Sequence, residues 1–378
     1  MNVTDIKNIL GRKFRGASLD DVQGINNFTI FEEASANLLI QIDPLETVRH
    51  GELDIFKDIY DYGLSSAAPD LKGKKIIDIR SQVNRLAGDN SSQTFIEDFD
   101  REKNDQEFSV EFDEGTKFLR YAKDVGNSVN LDDVSTTTNW TLSTGSNLAV
   151  DTLLYSEAGA SLRFDLAATG AILTGTPTAV DLSDHENKSS LFRWIYFPDS
   201  SIITSVTLRI GSSDSAYFTI TGSIFFGSIR NGWNLYRFNW NGATETGTVD
   251  TDNIDYERLA IVSTSADTDI RIGRLSSKLP RPSELVYYSN ALFRPASGST
   301  WLTKPTADTD ILNLEAEYQP LFINECCLLV SEDLQRAEDA VKFKARLIEG
   351  YAHYKTDKPS EAIRPQTKYY RVWGGGRL

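Results

Sequence analysis

The sequence predicts an α+β, multidomain protein: a discontinuous, mainly helical domain built from the N- and C-terminal parts, with an all-β jelly-roll sandwich inserted between them. Three observations carry that expectation. From about residue 134 to 280, apolar and small polar residues alternate in short runs broken by Gly, Asn and Asp, the period-two pattern of half-buried strands. On both sides of that stretch, apolar residues recur three and four apart with charges between them, the helical pattern. Turn and stop residues fall where the texture changes. The predicted boundaries are 1–133 and 281–361 for the helical part (with some short strands), 134–280 for the sandwich and 362–378 for an extended C-terminal arm.

In chain order, Thr29 to Glu32 fits a capping box, and Phe31, Ala34, Leu38 and Ile42 form one apolar stripe behind it. Asp43-Pro44 ends that helix, because the residue before proline avoids helical angles. Leu53 to Tyr62 places Leu53, Phe56, Ile59 and Tyr60 on one side of a second predicted helix. Lys74 to Arg80 reads as a short strand, and Asn127 to Thr138 as a polar linker. Seven strand runs follow, starting near Ala160, Leu191, Ser205, Ala216, Gly232, Arg258 and Thr268. Short strands separated by turn residues fit two packed sheets. After Pro280, Tyr287, Tyr288 and Trp301 read as a connection. Leu321 to Val330 and then Glu332 to about Tyr354 read as helices, the second with Leu334, Ala337, Val341, Ala345, Ile348 and Tyr351 as its apolar stripe.

Composition excludes several classes. The net charge is −15, with 26 acids against 16 bases before residue 134, 15 against 10 in 134–280, and 13 of each after it. An acidic chain without a basic patch is poorly built to grip a nucleic-acid backbone. It suits a surface past which DNA slides without sticking. No apolar run approaches the roughly 20 residues of a membrane span, and Met1 to Arg15 lacks the apolar core of a secretory signal. Cys326 and Cys327 are adjacent in a helical pattern, where a disulfide between them would be strained, so the expectation is two buried thiols.

No catalytic spacing emerges. The three histidines, His50, His185 and His353, lie in separate segments, without metal spacing. No nucleophile elbow or phosphate loop occurs. Asp250, Asp252, Asn253 and Asp255 make an oxygen-rich loop that a calcium ion would suit, but it lacks the glycine and the distant glutamate of a helix–loop–helix site, so a solvated turn is the better reading and no cofactor is expected. Trp194, Tyr196, Trp233, Tyr236 and Trp240 in the β region read either as a stacking platform for sugars or as sandwich core.

Glu157-Ala-Gly-Ala-Ser-Leu-Arg-Phe, Ser205-Val-Thr-Leu-Arg-Ile-Gly-Ser, Asn231-Gly-Trp-Asn-Leu-Tyr-Arg-Phe and the closing Asp267-Thr-Asp-Ile-Arg-Ile-Gly-Arg-Leu resemble strands of carbohydrate-binding-module-like jelly rolls. The flanks, with Tyr351-x-x-Tyr354 and Lys358-Pro-Ser-Glu, resemble head–tail adaptor (connector) proteins of the tailed-bacteriophage neck. That resemblance implies a virion structural protein without enzymatic activity, assembled in the host cytoplasm as a homo-oligomeric ring, a dodecamer. Its implied partners are the portal protein and tail or further neck proteins, with DNA crossing the lumen and no membrane contact. Tyr369, Tyr370, Arg371 and Trp373 would anchor the C-terminal arm on a partner. The large β insertion departs from simple adaptors. The alternative is a tail or baseplate protein whose jelly roll binds host glycan, and the discriminating feature is an aromatic exposed on one sheet face. An enzyme that cleaves polysaccharide is the third reading, and two acids facing each other across a cleft would be its mark.

Overall fold

The computed structural model describes residues 1–15, 22–83, 94–96, 108–113, 116–121, 127–157, 159–225, 227–298 and 300–357. The arm residues Tyr369, Tyr370, Arg371 and Trp373 lie outside the described residues. The protein is mostly β: 41% is strand and 22% is helical. This corrects the expectation of a mainly helical body with one inserted jelly roll. The chain forms two compact units, one of residues 1–50, 70–77 and 286–378, the other of 51–69 and 78–285.

In the first unit, α1 (Val3–Lys13), α2 (Gln23–Asn26), α3 (Thr29–Gln41), α4 (Gln319–Asp333) and α5 (Ala337–Asp357) supply most of the core. Ile6, Leu10, Phe31, Ala34, Leu38, Phe322, Cys326, Cys327 and Val330 are buried together, and both cysteines are free thiols. The α3 stripe read from the sequence is therefore core. Its capping box is not formed. Phe28 is the N-cap, in the left-handed region, and the Thr29 N–H and hydroxyl both donate to Asn27 Oδ1 at 3.1 and 2.7 Å. The two predicted C-terminal helices are present, with the break a few residues later than read: Glu332 and Asp333 still belong to α4, Gln335 has φ 53°, and Arg336 N–H donates back to the Ser331 carbonyl. That left-handed turn closes α4 and lets α5 fold against it. Phe343, Leu347 and Tyr354 face inward from α5, while Val341 and Ile348 of the predicted stripe are exposed.

The segment misread as a second helix, Leu53 to Tyr62, has a definite cause. Three-residue spacing over ten residues fits a helix and a strand-plus-turn equally, and only long-range pairing decides. Leu53 to Tyr62 is the end of strand Val48–Ile55, a turn with Asp58 at φ 58°, and strand Asp61–Gly63. Tyr287 and Tyr288 belong to strand Arg281–Ser289. A four-stranded sheet runs in the order Val48–Ile55, Arg281–Ser289, Leu71–Val83, Thr94–Ile96, and a three-stranded one in the order Asp61–Gly63, Thr116–Tyr121, Phe108–Asp113.

The second unit contains the sandwich, and each of the seven predicted runs forms a strand. One sheet has the order Ser223–Ile224, Gly232–Asn239, Ser190–Phe197, Asp267–Ile272, Ser161–Leu166, Ser146–Asp151, with Ser276–Lys278 and Ser128–Asn130 attached beside Ser190–Phe197. The other has the order Thr244–Thr246, Tyr217–Thr221, Ile203–Gly211, Tyr256–Ser263, Ala171–Gly175, Trp140–Thr144. Leu162, Phe164, Leu191, Ile195, Leu208, Ile210, Phe238, Leu259, Ile261 and Ile270 fill the space between the sheets. The supposed linker belongs to this body: Ser128–Asn130 pairs with Ser276–Lys278, and Leu131 and Val134 enter the core.

One charged cluster crosses that core. Arg193, fully buried, donates to Asp132 Oδ2 and to Glu257 Oε1, and the Leu275 N–H donates to Asp132 Oδ1 at 2.8 Å. Burial pushes the Glu257 carboxyl up to about 8, with Arg193 opposing and the Asp132 charge assisting.

Candidate functional site

Strand alternation sorts Ser190–Phe197 into two faces. Leu191, Arg193, Ile195 and Phe197 point into the core, so Phe192, Trp194 and Tyr196 point outward. On the neighbouring strand Trp233 stands opposite Tyr196, Leu235 opposite Trp194, and Arg237 opposite Phe192. On the other side Arg271 pairs with Tyr196, and Arg163 with Arg271. The outer face therefore carries a row across four strands: Arg163, Arg271, Tyr196, Trp233.

The two ends of this face differ. At one end Phe192 is covered, its ring 4.9 Å from Phe56 and 5.2 Å from Phe225, with Arg237 over Phe56 at 5.3 Å. At the other end Trp194, Tyr196 and Trp233 are only half-buried. Trp194, Trp233 and Leu235 line a cleft of about 510 Å³. Its rim comes from two segments, Asp58 to Asp61 and Tyr155 to Glu157. Tyr60 and Tyr155 are 47% and 46% exposed there. A smaller hollow of about 70 Å³ shares the same three floor residues and is bounded by Arg230 and Asn234.

Each rim segment is held by a specific contact. The Tyr62 hydroxyl, buried, donates to the Ile59 carbonyl at 2.7 Å and accepts from the Phe56 N–H at 2.9 Å, which fixes the turn carrying Asp58 and Tyr60. Burial raises this phenol well above its ordinary range. Asp61 is gripped by Arg120 through Nε at 2.8 Å. Glu157 accepts from the Trp194 indole N–H at 3.0 Å, tying the second segment to the floor. Gly273 makes that approach feasible, since a Cβ there would lie 2.7 Å from Ser156 Oγ.

The aromatic row is stiffened by its neighbours. Tyr196 and Trp233 meet edge-on at 5.5 Å, 66° apart. Arg271 lies over the Tyr196 ring at 5.3 Å and donates to Asp151 Oδ2 at 2.8 Å. That guanidinium pulls the Asp151 carboxyl down to about 2. The arrangement presents ring faces with fixed polar groups at their edges, suited to a ligand that has both an apolar face and hydroxyl edges.

The five aromatics named from the sequence divide. Trp194, Tyr196 and Trp233 are on the open face, whereas Trp240 and Tyr236 are core residues, Trp240 with no exposure at all. The oxygen-rich loop is a turn, with the Asp252 N–H donating to Asp250 Oδ1 at 3.3 Å and the Asn253 N–H to the Asp250 carbonyl. Among the described residues there is no cluster of three acids, histidines or cysteines that could hold a metal. His185 is an internal residue: its Nδ1 is 2.9 Å from Ser277 Oγ, and burial lowers its pKa. His50 and His353 are exposed. Sequence reading missed Tyr60, Tyr155, Glu157 and the Arg271–Asp151 pair; of these, only Arg271 carried a signal, its outward parity in a predicted strand.

No family model matches the chain, and no curated protein does. Solved structures similar to part of this chain include the family 11 carbohydrate-binding module from Clostridium thermocellum in complex with a β-1,3-1,4-mixed-linked tetrasaccharide, 15% identical with a TM-score of 0.30, covering 41% of this chain and 96% of that one. The xylan-binding domain of family 22 from Paenibacillus barcinonensis is 13% identical with a TM-score of 0.26, covering 42% and 97%. The enzymatically active domain of bacteriophage CBA120 tailspike protein 4 is 18% identical with a TM-score of 0.25, covering 40% and 21%. None of these is a head–tail adaptor.

Proposed function

We propose that this protein binds glycan, using the open outer face of the sandwich as its binding surface. The observation that carries the reading is the half-buried set Trp194, Tyr196 and Trp233 on one sheet face, left uncovered beside a cleft while the other end of the same face is closed. A pyranose ring offers a C–H face to stack on indole and hydroxyls to bond at the edge, and this face offers both complements. The neck reading, by contrast, rested on a mainly helical body that the fold does not supply. The function proposed is binding without turnover; the three cleft acids each have a partner, Asp58 in Lys278, Asp61 in Arg120 and Glu157 in the Trp194 indole. The setting proposed for such a module is a phage tail or baseplate, the alternative to the neck reading.

The test is calorimetric titration of the full chain, and of Trp194→Ala and Trp233→Ala, against a panel of soluble polysaccharides and bacterial surface glycans. Each substitution is expected to weaken binding at least tenfold, about 1.4 kcal/mol, with unfolding little changed. Wild-type protein that binds nothing in the panel, or variants that bind as well as wild type, would overturn the reading. Release of reducing sugar during the titration would replace binding with catalysis.

A further inference from the structure

The helix α5 carries two apolar stripes where one would suffice. Phe343, Leu347, Gly350 and Tyr354 form the inner one; the three large side chains are buried, and a Cβ at Gly350 would come within 2.3 Å of Leu321 on α4. The outer stripe is Val341, Ala345, Ile348 and Ala352, at steps of four, three and four, all exposed. Val341 is 71% and Ile348 64% exposed. That spacing is the seam of a coiled coil, and its two large side chains, Val341 and Ile348, stand in water.

We infer that a second copy of this chain covers the seam, helix α5 against helix α5. The charges beside the stripe favour that occupant. Lys344 and Glu349 flank the seam on opposite sides, five residues apart. This spacing sets Lys344 of one copy against Glu349 of the other when the helices run parallel. Lys342 lies on the same flank as Glu349, so an antiparallel pair sets those two against each other. Either direction places Glu349 opposite a lysine. Ala345, between the two β-branched residues, and Ala352, one step beyond them, let the helices approach closely. The seam spans about three turns, so the pairing is weak on the scale of protein interfaces. For a surface-binding protein, pairing two copies converts modest affinity per site into avidity. The inference stands on α5 and does not require the glycan reading.

Sedimentation velocity of the full chain across about 1–300 µM tests it, a range chosen to bracket weak interfaces. A concentration-dependent dimer is expected. Ile348→Glu should raise the dissociation constant at least tenfold, and because the side chain is exposed, thermal unfolding at low concentration should not change. Glu349→Lys protein and Lys342→Glu/Lys344→Glu protein should each stay monomeric and should dimerise when mixed. Wild-type chain that is monomeric throughout, an Ile348→Glu variant that dimerises like wild type, or charge variants that fail to recover on mixing would each overturn the inference.

Discussion

Arg193 shows how one residue sets a pH dependence. A single guanidinium faces two carboxylates in a dry core, so one proton settles the balance, and burial assigns it to Glu257. The folded protein keeps that proton up to about 8, whereas an unfolded glutamate releases it near 4.3. The unfolded state thus binds fewer protons between those values, and stability falls as pH rises from about 5 to about 8, then levels off. Glu257→Gln, which keeps the size but cannot ionise, is expected to flatten that slope. Chemical denaturation midpoints at pH 5, 6, 7, 8 and 9 check this; parallel curves for variant and wild type would refute it. The inward parity of Arg193 is legible in Leu191-Phe-Arg-Trp-Ile-Tyr-Phe. Its partners lie 61 and 64 residues away, beyond any local pattern.

Among the elements, the segment from Phe56 to Tyr62 is organised by a hydroxyl and not by helical periodicity. Removing that hydroxyl in Tyr62→Phe leaves the buried Phe56 N–H and Ile59 carbonyl without their partner. A loss of about 1–3 kcal/mol is expected from an unsatisfied buried group, together with weaker glycan binding through the loosened rim at Asp58 and Tyr60. Equilibrium denaturation measures the first effect and titration the second; an unchanged midpoint would sink the assignment. The helix α5 makes the complementary point. Its stripe of Val341, Ala345 and Ile348 was readable, but periodicity cannot tell a stripe facing its own core from one facing another chain. Phe343, Leu347 and Tyr354 satisfy the core instead.

For the whole molecule, the sandwich closes on itself through its ends, since Ser128–Asn130 pairs with Ser276–Lys278. A fragment of residues 127–280 is therefore expected to unfold in one cooperative transition. A fragment beginning at 134 loses Leu131 from the core and Asp132 from Arg193. Breaking a buried ion pair by removing one partner costs about 3–5 kcal/mol, so the shorter fragment should unfold at markedly lower denaturant or not fold. Equal midpoints for the two fragments would contradict this.

Alternation by itself marked seven of the fourteen described sandwich strands, because a strand with one wet face must write its two faces into successive residues. The α3 stripe was settled in the same local way. Only the tertiary structure decided that Leu53 to Tyr62 and the segment around Tyr287 and Tyr288 are strand and turn, which of five aromatics face solvent, and what Arg193 meets. Backbone pairing between strands distant in sequence supplies the energy that overrides a short helical pattern. Trp194 and Trp240 have equally apolar side chains, and only the arrangement of neighbouring segments leaves one ring open and buries the other.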